Sequence, residues 1–290
     1  MRMENFKNIE NIDWDSFSEW LSRDHAKKNV AEILRNARKY YYVLYSPSKA
    51  SEICILTRDT RREAMASLAN LSKFLGIYDY WRYVAKNSGL KWESRSTLDT
   101  VVNILNTNID GTKIWLEKAL KVLPVEYGTI LIFDALTGLR PTEAMVSCRL
   151  ISELTEKNRL EDYLNREYLM LEHFKFKKLF LRKCKNAYIS FMTPELLDLV
   201  TTVKPKTNYQ AVDSALGRRG LPTRTKELRK FHATLLRESL PQELVDLIQG
   251  RVSQSVFLRF YYKPFLLNIR ERVLKTIEPL QNELLAMLKD

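Results

Sequence analysis

Thr137-Gly138-Leu139-Arg140-Pro141-Thr142-Glu143 sets an arginine just behind a glycine turn, with a carboxylate three residues beyond it. Far downstream, Thr225-Lys226-Glu227-Leu228-Arg229-Lys230-Phe231-His232-Ala233-Thr234 carries a second arginine, and Gln249-Gly250-Arg251 a third. Ten residues after Arg251 comes the pair Tyr261-Tyr262, and between the first two arginines lies Arg182-Lys183-Cys184-Lys185. These are the residue types that metal-free attack on a phosphodiester requires. The reaction needs a nucleophile, neutralisation of the non-bridging oxygens, an acid for the departing oxygen, and alignment. Guanidinium stays charged and offers a planar fork to phosphate oxygens, so Arg140 and Arg229 supply two forks and Arg251 a third contact. A phenol, with an ordinary pKa of about 10, attacks once nearby cations favour phenolate; Tyr261 and Tyr262 both qualify. Lys183 or Lys185, on a turn, can protonate the leaving 5′-oxygen. The product is a protein–DNA ester that conserves bond energy, so strands rejoin without ATP. Neither a metal nor a cofactor is called for.

Positioning these groups takes helices. Glu143 shares a helix face with Arg140, where a buried carboxylate would hold the guanidinium. Lys226 and Arg229 are also three apart, so one face presents two cations. His232, one turn further on, is expected to support the site by packing or a local bond. Each signal alone has an ordinary reading: a surface ion pair, core aromatics, a solvated turn. Their ordered combination carries the argument.

The chain reads as mainly α with a small β-hairpin or sheet. Trp14, Phe17, Trp20 and Leu21, then Val30, Ile33, Leu34, Ala37, Tyr41 and Leu44, recur at helical spacing. Thr60-Arg61-Arg62-Glu63 has capping-box form ahead of Ala64, Leu68, Leu71 and Leu75, and a further helix spans 78–86. The polar stretch from Asn87 to Ser96 predicts a boundary between a helical unit, 1–92, and a second unit, 96–290. The second unit should open with helices over 98–106, 112–122 and 127–136, with Arg140 and Pro141 beginning another. Leu179-Phe180-Leu181 and Ala187-Tyr188-Ile189-Ser190-Phe191, around a basic tip at Lys183, read as a hairpin. Residues 208–223 read as a mobile surface loop. Thr225 is placed to cap a helix over 226–237, Pro241 starts the next, Gly250 ends it, and 265–288 forms a terminal helix. Pro279 is placed where it would kink that helix.

Net charge is +12, and its distribution is uneven. From Lys175 to Lys230 there are 14 Lys/Arg against 4 Asp/Glu, which leaves the rest of the chain near neutral. A concentrated basic surplus is the footprint of a polyanion. Lys175, Lys177, Lys178, Arg182, Arg218, Arg219, Arg224 and Lys230 are therefore expected on DNA. Cys54, Cys148 and Cys184 are scattered, which gives no zinc or disulfide pattern. No run is long and apolar enough for a membrane span, and the opening residues lack the apolar stretch of a secretory leader. The expectation is a cytoplasmic, nucleoid-associated protein that does not bind membrane.

These motifs resemble those of the tyrosine recombinase, or phage-type integrase, family. Thr137-Gly138-Leu139-Arg140 with Glu143 is similar to the family's first box, T-G-L-R-x-x-E. Leu228 to Leu236 is similar to its second, H-x-L-R-H-x-x-A-T-x-L, with Lys226 and Lys230 in place of the two histidines. Leu247-Ile248-Gln249-Gly250-Arg251 resembles the L-x-G-H segment, with Arg251 in the histidine or tryptophan position. Arg259-Phe260-Tyr261-Tyr262-Lys263-Pro264 resembles the R-H-Y-x-x-P endings of archaeal viral and plasmid integrases of the spindle-shaped-virus type. The resemblance implies Tyr261 as nucleophile, with Tyr262 as the alternative register. It implies Arg140, Lys183, Lys226, Arg229 and Arg251 as the catalytic set, with Lys185 as the alternative to Lys183. It further implies a core-binding unit that clamps duplex DNA at attachment sites, a tetramer in the synapse, and a terminal helix packed on a neighbouring protomer or on its own domain. A silent DNA-binding accessory factor of the same fold and a type IB topoisomerase-like enzyme are the competing expectations.

Overall fold

A computed structural model describes residues 12–93, 96–106, 109–182, 185–251 and 265–288. Lys183, Tyr261 and Tyr262, which the sequence singles out, lie outside the described residues, as does Cys184. The chain divides into two compact units between Leu105 and Asn106.

The α-helices of the first unit's described residues are α1 (Trp14–Ser22), α2 (Lys27–Tyr40), the single turn α3 (Ser51–Cys54), α4 (Arg58–Phe74), α5 (Tyr78–Asn87) and α6 (Thr97–Asn106), which ends at the division. Asp13 caps α1 by accepting from the Asp15 and Ser16 amides at 3.1 and 3.0 Å. Phe17 and Leu21 of α1, Val30, Ala37 and Tyr40 of α2, and Ala64, Met65, Leu68 and Leu71 of α4 are buried together. The expected capping box at Thr60 is not the helix start. α4 begins at Arg58 behind Thr57, and the Thr60 hydroxyl is spent on the Thr57 hydroxyl at 2.9 Å.

The second unit is built around one buried helix. The run from Val125 to Thr137 is apolar on all sides, and a helix carries such a pattern only when it is surrounded. After α7 (Ile109–Val122), α8 (Val125–Thr137) is that helix, buried from Gly128 to Thr137. Packed around it are α7, α9 (Pro141–Glu156), α11 (Pro194–Val203), α13 (Thr225–Arg237) and α15 (Leu266–Ala286). Between them come the one-turn α10 (Lys177–Phe180), α12 (Tyr209–Arg218) and α14 (Gln242–Ile248). α15 lays Ile269, Val273, Ile277, Leu280 and Leu284 into its own unit's core, so the terminal stripe docks at home. Pro279 lies inside that helix, and buried Gln281 receives the Thr193 hydroxyl at 2.5 Å.

The sheet is small, and its strands differ from the expected hairpin. β1 (Leu164–Asn165), β2 (Met170–Leu171) and β3 (Ser190–Phe191) run antiparallel in that order, with Leu164 opposite Leu171 and Met170 opposite Phe191. Residues 177–180 instead close one helical turn, with the Leu181 amide on the Lys177 carbonyl at 2.8 Å. The turn drops Phe180 into the core beside Tyr163 and His173, with ring centroids at 6.0 and 4.6 Å. The chain still doubles back, because the Ala187 amide bonds the Phe180 carbonyl at 3.1 Å. A buried relay ties the sheet to α9. Ser147 Oγ meets Tyr163 OH at 2.8 Å, Tyr163 OH meets His173 Nδ1 at 2.6 Å, and His173 Nε2 meets Ser190 Oγ at 2.8 Å.

Residues 208–223 are not the loop that their glycines and basic residues predict. Asn208 caps α12 through the Ala211 amide at 2.9 Å, and Val212, Ala215 and Leu216 bury one face. Thr225 does not cap α13. It is the first helical residue, buried, with its hydroxyl bonded to the Tyr209 hydroxyl. No helix among the described residues is long and apolar enough to cross a membrane.

Candidate active site

Two glycines make the site's geometry possible. Gly138 ends α8 in the left-handed region, at φ +63°, with its amide on the Asp134 carbonyl at 3.0 Å. A Cβ there would sit 2.1 Å from His232 Nδ1, so conformation and space both demand glycine. The turn delivers Arg140 to the N-cap of α9, with Pro141 as its first residue. Gly250, at φ +68°, would place a Cβ 1.8 Å from the Asn186 carbonyl oxygen. The backbone after α14 therefore lies directly against the loop that precedes β3.

Arg140 and Glu143 form the buried pair that their spacing predicts. Glu143 is 0% exposed. Its carboxylate accepts from Arg140 Nη1 at 2.8 Å (Oε1) and 3.1 Å (Oε2), and from the Arg140 amide at 3.1 Å. The same Nη1 also reaches the Asn186 carbonyl at 3.3 Å, while 23% of the Arg140 side chain remains exposed. A carboxylate in the first turn of α9 also sits favourably against the helix dipole.

Arg229, on α13, is held by two backbone carbonyls. Nη1 donates to Gly138 O at 2.6 Å and Nη2 to Gln249 O. Burial, then the charge of Arg140, pushes its guanidinium down to about 10; Arg251 adds to this, and Glu143 and Asp134 oppose it. Arg251 follows Gly250 with its amide on the Asp246 carbonyl at 2.7 Å. Its side chain is 67% exposed and lies 3.6 Å from the Asp246 carboxylate. Arg140 and Arg251, from two other segments, thus lie close enough to Arg229 to depress it. A bound phosphate would relieve that repulsion.

Behind the arginines lie two buried titratable groups. Burial lowers His232 to about 3, and the Arg229 charge acts in the same direction. Burial raises the Asp134 carboxyl well above its usual range, against the pull of Arg229, and its Oδ1 has no hydrogen-bond partner. Arg140 is answered by Glu143, and Arg251 lies beside the Asp246 carboxylate.

The remaining expected residues spread outward. Lys226 is exposed, and its charge acts on Asp213 of α12. Lys185 is exposed beside Asn186; Arg182 is exposed, with its amide on Asn186 Oδ1 at 2.8 Å. Lys175, exposed and paired with Glu172, leads into exposed Lys177 and Lys178 of α10. Arg218 and Arg219 are exposed at the end of α12, Lys230 is exposed on α13, and Arg224 lies 3.9 Å from Glu227. Sequence reasoning missed Asn186, Gln249 and Asp134. Asn186 and Gln249 act largely through backbone carbonyls that have no residue signature. The signal at Asp134 was a carboxylate inside an otherwise apolar helix.

Residues 160–271 match the family model of the archaeal phage integrases. The matched span includes Asn186, Arg229, Gln249, Arg251 and Tyr261; Arg140 and Glu143 lie upstream of it. Neither the curated proteins nor the solved structures provide a match. The family match supports a site-specific recombinase or integrase acting on DNA.

Proposed function

We propose that this chain is a tyrosine recombinase that cuts and rejoins DNA through a 3′-phosphotyrosine, with Tyr261 as nucleophile. The observation that carries the reading is that Arg229 bonds the carbonyls of Gly138 and Gln249, each two residues ahead of an arginine, Arg140 and Arg251, with Arg140 paired to buried Glu143. Arg140 is anchored through Nη1 and Arg229 through both terminal nitrogens, which preorganises the two guanidinium groups for the non-bridging oxygens of one phosphate. The Tyr261 phenolate attacks phosphorus, and the Tyr–O–P bond forms as the bond to the 5′-oxygen breaks. Lys183 delivers the proton that makes the leaving group a 5′-hydroxyl. Rejoining reverses each step: the 5′-hydroxyl returns its proton to Lys183 as its oxygen attacks phosphorus, and the Tyr261 phenolate leaves. Lys226 acts as an electrostatic clamp, and the exposed lysines and arginines of α10, α12 and α13 bind the flanking duplex. The first unit serves as the core-binding half of the clamp, and a tetramer assembles on two attachment sites in the synapse.

The test is a nicked suicide substrate that lets the 5′-hydroxyl fragment escape. The wild type should accumulate a protein–DNA adduct that EDTA does not suppress, and Tyr261→Phe should bind DNA without forming it. Loss with Tyr262→Phe alone moves the nucleophile by one residue. An adduct that survives both changes rules out the mechanism.

A further inference from the structure

Gln249 occupies a position that its backbone role does not exhaust. Its carbonyl accepts from Arg229 Nη2, and it is followed directly by Gly250 and Arg251. Its side chain is only 2% exposed. The amide Nε2 turns back onto α13, 3.4 Å from the Arg229 carbonyl and 3.4 Å from His232 Nδ1. His232 in turn presses on Gly138, whose carbonyl holds the other arm of the Arg229 guanidinium. A closed circuit results: Gly138, Arg229, Gln249, His232 and back to Gly138. Both carbonyls that orient the guanidinium belong to residues inside it. An amide N–H needs a lone pair opposite, so the bare nitrogen of the imidazole is Nδ1.

We infer that the Gln249 side chain, seated on His232, is the positioning device that keeps Arg229 and Arg251 aimed at one phosphate. The inference rests on the recombinase reading. Without the amide, the hydrogen bond left between the 249–251 segment and α13 among the described residues is the one from the guanidinium it is meant to aim. The arginine would keep its bond to Gly138, but the segment that carries Arg251 would lose its second tie to α13. A displacement of about 1 Å in such a site costs on the order of 10²-fold in rate. Gln249 touches neither nucleophile nor phosphate in this scheme, so its effect passes through Arg229.

That route distinguishes positioning from mere structural support. Gln249→Leu keeps the volume and burial and removes the amide. Single-turnover adduct formation on the suicide substrate should fall by roughly tenfold to 10²-fold, with the thermal transition and duplex binding retained. On a substrate whose scissile phosphate carries a methylphosphonate, one non-bridging charge is gone and the demand on Arg229 falls. The Gln249→Leu defect should shrink there. His232→Phe preserves the ring against Gly138 but removes the acceptor, and should show a smaller loss in the same direction. It carries the test if Gln249→Leu does not fold. An unchanged rate in the folded variants, or an equal loss on both substrates, overturns the inference while the recombinase reading stands. A wild type that forms no adduct sinks both.

Discussion

Glu143→Gln is the change that probes the buried pair most directly. The glutamate accepts three hydrogen bonds, all from Arg140, at 2.8, 3.1 and 3.1 Å. Glutamine keeps one acceptor oxygen and turns the other position into a donor, set against donors. Breaking a buried ion pair from one side costs about 3–5 kcal/mol. Because the Arg140 side chain keeps 23% exposure, water recovers part of its charge, and about 2–3 kcal/mol is the expected net loss. For a unit of this size that is a fall in Tm of about 4–12 °C, at about 2–4 °C per kcal/mol. The guanidinium is loosened rather than removed. Cleavage should therefore drop by about 10–10²-fold, less than the roughly 10²–10³-fold expected when a charge-stabilising donor is deleted, as in Arg140→Ala. Calorimetry gives the first number, and single-turnover adduct formation on the suicide substrate gives the second. A Glu143→Gln protein that melts and cleaves like the wild type would refute the claim that this carboxylate anchors the arginine.

Two further perturbations follow from the same geometry. Gly250→Ala puts a Cβ 1.8 Å from the Asn186 carbonyl oxygen, so the two backbones must part by more than an ångström. Cleavage should fall by roughly 10²-fold, while Gly217→Ala, with open space around it, should cleave normally; equal behaviour of the two would dismiss the contact. Asp134 is a carboxyl whose folded pKa lies above its unfolded value, chiefly through burial. From the usual carboxylate range upward the unfolded chain releases that proton and the folded chain keeps it, so stability declines as pH rises, by about 1.4 kcal/mol per unit. Asp134→Asn removes this slope, and its advantage in chemical denaturation should be larger at pH 8 than at pH 5. Parallel pH profiles for the two proteins would show that the carboxyl ionises freely.

The Arg140–Glu143 pair was legible because it is local. T-G-L-R with Glu143 requires a turn, a helix start and a partner one turn on, and all three depend on spacings within a single helix. Amphipathic stripes disclosed most of the helices for the same reason, α15 among them. Local signals failed where tertiary burial outweighed them. Residues 177–180 coil into a turn because Phe180 is wanted in the core, and α12 forms because Val212, Ala215 and Leu216 have a surface to cover.

What residue order alone determined here is the inventory: three arginines, an acidic partner, two tyrosines, a basic segment and a mainly helical chain. What only the tertiary structure decided is how Arg229 comes beside Arg140 and Glu143. Arg229 finds its place through the carbonyls of Gly138 and Gln249, groups that every residue carries and no sequence pattern marks. The physical reason is that a backbone acceptor acquires direction only once the chain around it has folded.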